Sequence, residues 1–260
     1  MRVLVTRPAR EAQRWVHDLA AQGLDAIALP LIEIAPARDR APLQQARQAL
    51  DGYQALMFVS GNAVDHFFKE KVAGVQEGRL LLAIKNRAWA TGPGTRDALL
   101  AAGVPAAQID APQADAEQFD SEALWQRVKD SVRAGDRVLI VRGADAQGRI
   151  SGRDWLAQQL AAAGAQVQVV SAYERHVPAW TAQQRALAQA SAGDGTVWLL
   201  SSSEGIAHLR GWLPAQSWQR ARAVATHPRI AQAAREAGFG VVCESRPALA
   251  DVVASIESFA

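Results

Sequence analysis

The sequence of 260 residues contains one cysteine, Cys243. A single thiol forms no internal disulfide and supplies no Cys-x-x-Cys metal or redox pair, so a disulfide framework is excluded. Cys243 lies in the apolar segment GVVCES, which favours a buried side chain over a nucleophile.

The sequence also has little excess charge and no long apolar run. Its 28 Lys and Arg against 26 Asp and Glu give a net charge of +2, without the concentrated basic stripe of a nucleic-acid protein. No segment approaches the ~18 apolar residues of a membrane span. The first residues, MRVLVTRPAR, form a strand pattern at once rather than a signal peptide. We expect a soluble, cytoplasmic protein that binds neither nucleic acid nor membrane.

The common nucleotide, metal and nucleophile motifs are absent. The sequence contains no GxxxxGK(S/T), HExxH or GxSxG. The segment GPGTRD has Asp97 where a dinucleotide-binding loop has its third glycine, and the acidic residues form no metal-site pattern. Five histidines are scattered, and only His227 falls in a candidate ligand loop. We therefore expect no metal and no organic cofactor, so any catalysis depends on holding a reactive substrate in one geometry.

Short apolar runs alternate with amphipathic helical segments along the whole chain. Segments such as AREAQRWVHDLAAQG and GRDWLAQQLAAAG space their apolar residues for a helix closed by a glycine. Continuous apolar strands between such helices indicate an α/β fold with parallel sheets covered on both faces. The predicted strands are RVLVT, DAIALPLIEI, ALMFVS, RAWAT, RVLIV, AQVQVVSAYE, TVWLLS, RAVAT and GVVCES.

The chain repeats itself. Eight of eighteen positions are shared by RAWATGPGTRDALLAAGV (87–104) and RAVATHPRIAQAAREAGF (222–239), at an offset of 135 residues. The same offset relates RVLVTRPA to RVLIVRGA, whereas 141 residues separate AAQGLDAIALP from AAAGAQVQVVS and FVSGNAVDHF from LLSSSEGIAH. The changed offset predicts an insertion near 145–153 in the second copy and a matching one near 74–79 in the first. Four matched segments favour duplication, and hence two lobes, over the general likeness of all doubly wound units.

Two segments break the rhythm of short strands. LPLIEIAPARD and VVSAYERHVPAW are extended, bounded by proline and longer than a strand of ~5–6 residues. They hold equivalent places in the two copies. We expect them to form a two-stranded connector between the lobes, leaving an interlobe cleft whose opening changes.

The loops that follow the predicted strands contain hydroxyls, glycines and arginines. Ligands of parallel α/β sheets bind where strands end and helices begin. The candidate loops are Thr6-Arg7-Pro8, Ser60-Gly61-Asn62, Thr91-Gly92-Pro93-Gly94-Thr95, Arg142-Gly143, Ser201-Ser202-Ser203 and Thr226-His227-Pro228-Arg229. Each is expected to precede a helix, whose free N–H groups and positive end attract anions. Helix capping alone explains any one loop, but six in paired lobes indicate a ligand with several negative groups.

One ordered set of motifs resembles the uroporphyrinogen-III synthase family: VLVTRP, LPLIEIAP, FVSGNAV, ATGPGT, VLIVRG, SAYER, LLSSSE and ATHPRIAQAAREAG. The match runs from Arg2 to about Ser255. It implies a first lobe built from residues 1–35 and 178–260, a second lobe of residues 39–170, and connector strands at about 29–38 and 170–177. The repeats alone would instead divide the chain near residue 135.

The resemblance further implies a lyase reaction of heme and porphyrin biosynthesis. The linear tetrapyrrole hydroxymethylbilane, which carries eight carboxylates, closes to uroporphyrinogen III with inversion of ring D and loss of water. Loss of the hydroxyl gives an azafulvenium cation, and closure then proceeds through a spiro intermediate. Without an enzyme the bilane closes to the uninverted isomer I. The resemblance also implies a monomer without cofactor that receives its substrate from hydroxymethylbilane synthase.

Residue by residue, the resemblance assigns one catalytic side chain. Tyr173 of SAYER matches the family tyrosine, which implies a hydrogen bond to the departing hydroxyl; the other interpretation is a packed aromatic of the connector. His227 and Ile230 stand where the family often has the Gly and Thr of Gly-Pro-x-Thr, so Thr226, Arg229 and helix N–H groups take over that contact. Family positions around the carboxylates are matched by Thr95, Ser60, Asn62, Ser201 and Ser203. The complete predicted substrate-binding set is Thr6, Arg7, Ser60, Asn62, Thr91, Gly92, Thr95, Arg142, Ser201, Ser203, Thr226 and Arg229.

Two other classes of protein share a two-lobed α/β architecture. A small-molecule binding protein without catalysis also has an interlobe cleft, but such proteins are usually exported behind a signal peptide. A two-lobed glycosyltransferase is commonly longer and has a recognisable nucleotide-binding region. Incubation with hydroxymethylbilane and separation of the isomers distinguishes these classes.

Overall fold

The computed structural model describes residues 1–69, 86–113, 116, 119–150 and 154–259. Its strands, in chain order, are β1 (Arg2–Val5), β2 (Asp25–Ala28), β3 (Glu33–Pro36), β4 (Ala55–Phe58), β5 (Arg87–Ala90), β6 (Ile109–Asp110), β7 (Arg137–Ala144), β8 (Gln166–His176), β9 (Val197–Leu200), β10 (Arg222–Ala225) and β11 (Val241–Glu244). The insertion predicted near 74–79 lies outside the described residues.

Helices in the described part of the chain connect these strands. They are α1 (Ala9–Ala21), α2 (Ala41–Gln48), α3 (Gly61–Lys69), α4 (Pro93–Ala101), α5 (Ser121–Val128), α6 (Trp155–Ala162), α7 (Ala182–Ala190), α8 (Ser203–Trp212), α9 (Pro228–Glu236) and α10 (Leu249–Glu257). Short 3₁₀ turns occupy Leu50–Gly52, Ala106–Gln108 and Lys129–Ser131. None of the described helices has the length and apolar character to cross a membrane.

The chain divides into two compact units. The first unit comprises Met1–Glu33 and His176–Ala260, and the second comprises Ile34–Arg175. The first contains a five-stranded sheet of order β11-β10-β9-β1-β2, and the second a six-stranded sheet of order β3-β8-β7-β4-β5-β6. Strands that match in the repeated sequence segments hold the same places in the two sheets. The topology therefore has the duplication that the sequence repeats indicate.

Helices end where the sequence places glycines. Gly23 follows α1 with φ of 80°, and Gly164 follows α6 with φ of 85°. Both glycines have backbone angles in the left-handed region. That conformation is nearly free of strain for glycine and raises the free energy of other residues. These two glycines hold matching positions in the two copies, and each turns the chain into the next strand.

Both faces of the first unit's sheet are buried. On one face, Leu4 and Trp198 pack with side chains of α8 and α9. On the other, Val3 and Val5 pack with Trp15 of α1 and with side chains of α10. Alternate residues of a strand point to opposite faces, so continuous apolar strands such as VWLL require helices on both sides.

The second unit repeats this layering. Leu56 and Phe58 of β4 face a core shared with α2, α3 and α4. Their neighbour Met57 faces the opposite core, which includes Leu124 of α5 and further side chains of α6. The described pairings within each sheet are parallel, as the doubly wound prediction requires.

The prediction that DAIALPLIEI and LPLIEIAPARD are long strands is wrong. The structure has two four-residue strands, β2 and β3, separated by residues 29–32. Proline at position 30 has no N–H to donate to a ladder. The carbonyl of Pro30 accepts instead from Trp180 Nε1 at 3.0 Å, and that of Leu31 bonds His208 Nδ1 at 2.8 Å. Side chains distant in sequence thus take the hydrogen bonds that a continuous strand would have made.

The other predicted long strand is continuous. β8 runs for eleven residues, from Gln166 to His176, and pairs in parallel with β7. β3 is its other neighbour, so both predicted connector segments contribute to the six-stranded sheet of the second unit.

Candidate functional site

In the first unit, three predicted loops meet at one edge of the sheet. They follow β1, β9 and β10, which are adjacent and parallel, so their carboxyl ends lie side by side. The structure thereby groups Thr6 and Arg7, Ser201 and Ser203, and Thr226 and Arg229.

The threonines of this edge bind the backbone. Thr6 is 5% exposed, and its Oγ1 donates to the carbonyl of Leu199 at 2.7 Å. Thr226 Oγ1 donates to the carbonyl of Leu200 at 3.5 Å. Both hydroxyls hold their loops against the end of β9, and they shape the edge of the sheet rather than present a donor to solvent.

The Arg7 side chain is directed along α1. Its Nη1 lies 3.4 Å from Glu11 Oε2, and its Cζ lies 4.5 Å from the centre of the Trp15 ring. Burial lowers the pKa of the Arg7 guanidinium, while attraction to Glu11 and the hydrogen bond with it raise the pKa. A guanidinium remains charged under these conditions, so Arg7 places a largely buried positive charge at the start of α1.

Side chains cap two helices at this edge. Ser202 Oγ accepts from the N–H of Gly205 at the start of α8, at 3.3 Å. His227 Nδ1 accepts from the N–H of Arg229 at the start of α9, at 3.1 Å. Ser203 Oγ donates to the carbonyl of Arg229 at 3.4 Å, which brings the two helix ends together. The single histidine of the candidate loops is therefore a helix cap.

In the second unit, the loops after β4 and β5 are neighbours in the same way. Ser60 Oγ accepts from the N–H of Ala63 at 3.1 Å and caps α3. Thr91 Oγ1 donates to the carbonyl of Val59 at 3.2 Å, as Thr226 does to Leu200 at the matching place of the other sheet. The structure thus groups the predicted residues Ser60, Asn62, Thr91, Gly92 and Thr95.

Two of the predicted residues in that group are constrained by packing. Thr95 lies in the first turn of α4 and is 5% exposed. Gly92 has an extended backbone, and a Cβ there would stand 3.2 Å from Phe119 Cβ. Ile230, which the resemblance sets where that family often has a threonine, is likewise buried, at 9% exposure. Its side chain contributes to the core of that unit.

Tyr173 joins this group from β8. Its side chain is 5% exposed, and its phenol oxygen lies 3.0 Å from Ser60 Oγ, with either atom able to donate. The His66 ring of α3 lies 5.8 Å from the Tyr173 ring, centre to centre. His66 could not be placed beside Tyr173 from the sequence, because its approach to β8 depends on how α3 packs across the sheet.

The prediction that Arg142 and Gly143 end a strand and precede a helix is wrong. Both lie within β7, which continues to Ala144 because the long β8 supplies a partner that far. Arg142 is 7% exposed, and its Nη1 lies 3.0 Å from Asp154 Oδ1. Arg142 is therefore a buried side chain of the sheet that pairs with the residue preceding α6.

The described residues offer no obvious metal centre. Among them, no group of three or more His, Cys, Asp and Glu side chains is placed to hold a metal ion. The two edges instead present hydroxyls and helix N-termini, with Arg7 and Arg229 at the edge of the first unit, and these groups suit an anionic organic ligand.

Comparisons with known proteins point to one family. The model of the family described as uroporphyrinogen-III synthase HemD matches residues 13–254. A uroporphyrinogen-III synthase from Synechococcus elongatus is 29% identical over 178 residues, which are 68% of this chain and 61% of that protein. One from Salmonella typhimurium is 27% identical over 245 residues, 92% of each.

Solved structures share the fold. Uroporphyrinogen-III synthetase from Helicobacter pylori is 16% identical, covers 100% of both chains and has a TM-score of 0.58. A mutant uroporphyrinogen III synthase from Thermus thermophilus is 17% identical, covers 100% of this chain and 97% of that one, and has a TM-score of 0.55. Because the family model spans nearly the whole sequence and these structures share its α/β architecture, the chain belongs to the uroporphyrinogen-III synthase family.

Proposed function

We propose that this chain is a lyase that closes hydroxymethylbilane to uroporphyrinogen III, with inversion of ring D and loss of water. The match of the family model to residues 13–254 carries the proposal. The two edges of hydroxyls, arginines and helix N-termini support it, because the substrate has eight carboxylates.

Helix N-termini supply the donors for these carboxylates. The N-cap residues of α1 and α4 are Pro8 and Gly92, neither of which makes a side-chain capping bond. The positive N-terminal end of each of these helices attracts an anionic ligand, and no N-cap side chain competes for it. The substrate-binding residues are the predicted ones at the two sheet edges, without Arg142, which lies within β7 and pairs with Asp154. Backbone N–H groups at the helix ends contribute beside these side chains.

Tyr173 acts at the leaving group. A phenol both donates and accepts, and the Tyr173 oxygen already engages a hydroxyl, that of Ser60. In the complex the hydroxymethyl oxygen takes the phenol proton as its C–O bond breaks and departs as water, while Ser60 keeps the phenol oriented. The cation then closes onto the substituted carbon of ring D, and the protein holds the bilane so that the spiro route is followed. The proton that ring closure releases from the bilane returns to the phenolate.

The remaining assignments follow the family. Residues 1–35 with 178–260 and residues 39–170 act as two lobes, and strands near 29–38 and 170–177 connect them. The enzyme works in the cytoplasm as a monomer, without metal or organic cofactor. It takes its substrate from hydroxymethylbilane synthase.

Incubation of the purified protein with hydroxymethylbilane tests the proposal. Separation of the cyclised products should give mostly isomer III, formed faster than isomer I forms in buffer, and a chelator should leave the rate unchanged. Heat-inactivated protein is the control, since the bilane closes unaided. Isomer I alone, at the buffer rate, would show that the chain does not catalyse this reaction.

A further inference from the structure

A register shift in the second unit's sheet sets Tyr173 beside Gly143. Arg142 of β7 pairs with Ser171 of β8, but Gly143 pairs with Tyr173, so Ala172 is an extra residue. Such a bulge re-aims the side chains that follow it. It places the phenol against the backbone of β7 at the carboxyl end of the sheet.

Gly143 is the residue that makes room there. A Cβ on Gly143 would stand 2.5 Å from Tyr173 Cζ and 2.6 Å from Arg175 Nη1. Real Cβ contacts are not so short, so only glycine fits without displacing both side chains. Both atoms lie close to the same Cβ position. The distance between Tyr173 Cζ and Arg175 Nη1 is therefore at most the sum of these two values.

The alternation of side chains along β8 explains why the Tyr173 and Arg175 side chains lie together. Tyr173 and Arg175 are two residues apart and share one face of β8. Glu174 points to the other face, where it is 2% exposed and accepts from the N–H of Arg38 at 2.9 Å. Its Oε2 also lies 3.2 Å from Arg38 Nε. Glu174 therefore binds Arg38 on the face of β8 opposite to Tyr173 and Arg175.

Guanidinium, phenol and serine hydroxyl therefore meet where β8, β7 and the adjacent β4 end. Ser60 completes the group through its 3.0 Å contact with the phenol. A guanidinium binds a carboxylate with two parallel hydrogen bonds. We propose that Arg175 is a substrate-binding residue that pairs with a carboxylate of the tetrapyrrole beside the Tyr173 phenol, and that Gly143 provides the space for both. This proposal rests on the function proposed above.

The variant Arg175→Gln tests the role of the charge. Loss of a charged hydrogen bond should lower kcat/KM on the order of 10- to 100-fold, mainly through KM. Arg175→Lys should lie between Gln and wild type, because it keeps the charge without the planar fork. Added salt should raise KM in the wild type more steeply than in Arg175→Gln, since it screens the pairing that the variant lacks. A purely structural role would change the melting temperature and leave the salt dependence intact.

Arg137→Gln is the matched charge control. Arg137 begins the same β7 strand at the opposite edge of the sheet, where its Cζ lies 4.8 Å from the Tyr53 ring centre. Its loss should leave KM unchanged. Gly143→Ala should impair both KM and kcat, whereas Gly211→Ala, where a Cβ meets nothing within 4 Å, should impair neither.

The outcomes separate the two proposals. Wild-type KM and salt dependence in folded Arg175→Gln would overturn the role of Arg175 and leave the proposed function standing. Should that variant not fold, Arg175→Lys decides: a wild-type KM together with a wild-type response to salt would reject bidentate pairing. A wild-type protein that forms no isomer III would overturn both.

Discussion

Replacement of Tyr173 by phenylalanine removes one oxygen from the site. The residue is 5% exposed, and its phenol oxygen lies 3.0 Å from Ser60 Oγ. A hydrogen bond of this kind contributes about 1 kcal/mol net, and Ser60 keeps the N–H of Ala63 as a partner. The melting temperature should therefore fall by only about 2–4 °C.

The effect on turnover should be far larger than the effect on stability. A group that donates a proton in the transition state contributes ~10²–10⁴-fold, and we expect Tyr173→Phe to lower kcat on the order of 10²-fold. The isomer ratio should remain in favour of III, because the rest of the site still folds the bilane. Initial rates and isomer separation measure both quantities, and thermal unfolding is the folding control.

Ser60→Ala and the double variant sharpen the result. If Ser60 acts by orienting the phenol, the double variant should be no slower than Tyr173→Phe alone, so the two effects will not add. Wild-type kcat in folded Tyr173→Phe would refute the reasoning. The residue would then be a packed aromatic of β8, and the loss of the hydroxyl would be left to the bound substrate and the backbone.

Three further variants probe other features. Thr95→Ala and Ser203→Ala should each lower kcat/KM by less than about tenfold, because neighbouring helix N–H groups still hold the carboxylates. The difference in stability between the wild type and Tyr53→Phe should disappear as the pH rises past about 10, the ordinary pKa of tyrosine. Trp198→Ala should destabilise the first unit by about 3–5 kcal/mol, because the indole is fully buried against Trp218 and Phe239.

The sign of the pH effect follows from the surroundings of Tyr53. Burial raises the pKa of its phenol, which attraction to Arg137 partly opposes. A phenol whose pKa is higher in the folded than in the unfolded protein stabilises the folded protein at pH values below the unfolded-state pKa. This stabilisation is lost as the pH rises through the folded-state pKa. Melting temperatures of both proteins between pH 7 and about 11 would show this, and a constant difference would contradict it.

Initial rates test the two hydroxyl variants, and a Thr95→Ala enzyme as slow as Tyr173→Phe would contradict the expected small effect. Denaturant unfolding tests Trp198→Ala, and a cost under about 1 kcal/mol would contradict the expected loss of stability.

Local sequence signals were enough for most of the architecture. Apolar runs of four residues and closing glycines such as Gly23 locate strands and helix ends, because both depend on neighbours in the chain. The break between β2 and β3 depends on Trp180 and His208, which lie 150 and 177 residues from the carbonyls they bind. No local pattern contains that information.

The site divides along the same line. Hydroxyls before helices are visible in sequence, and so is the i, i+2 relation of Tyr173 and Arg175. That Gly143 lies under both side chains depends on a register shift between β7 and β8. Likewise, Arg142 was misplaced because the length of a strand is set by its partner as well as by its own residues.

The central position of β1 has a consequence for how the chain is made. β1 lies between β2 and β9, and Thr6 bonds Leu199, 193 residues further on. At ~5–20 residues per second, a ribosome needs roughly ten to forty seconds to bridge that interval. During this time β1 and β2 expose apolar residues without the partner strand that completes their sheet. The second unit is a single continuous segment and gathers all its strands meanwhile. The order of synthesis therefore favours early folding of the second unit. The first unit completes its sheet last, although its β1 strand is synthesised first.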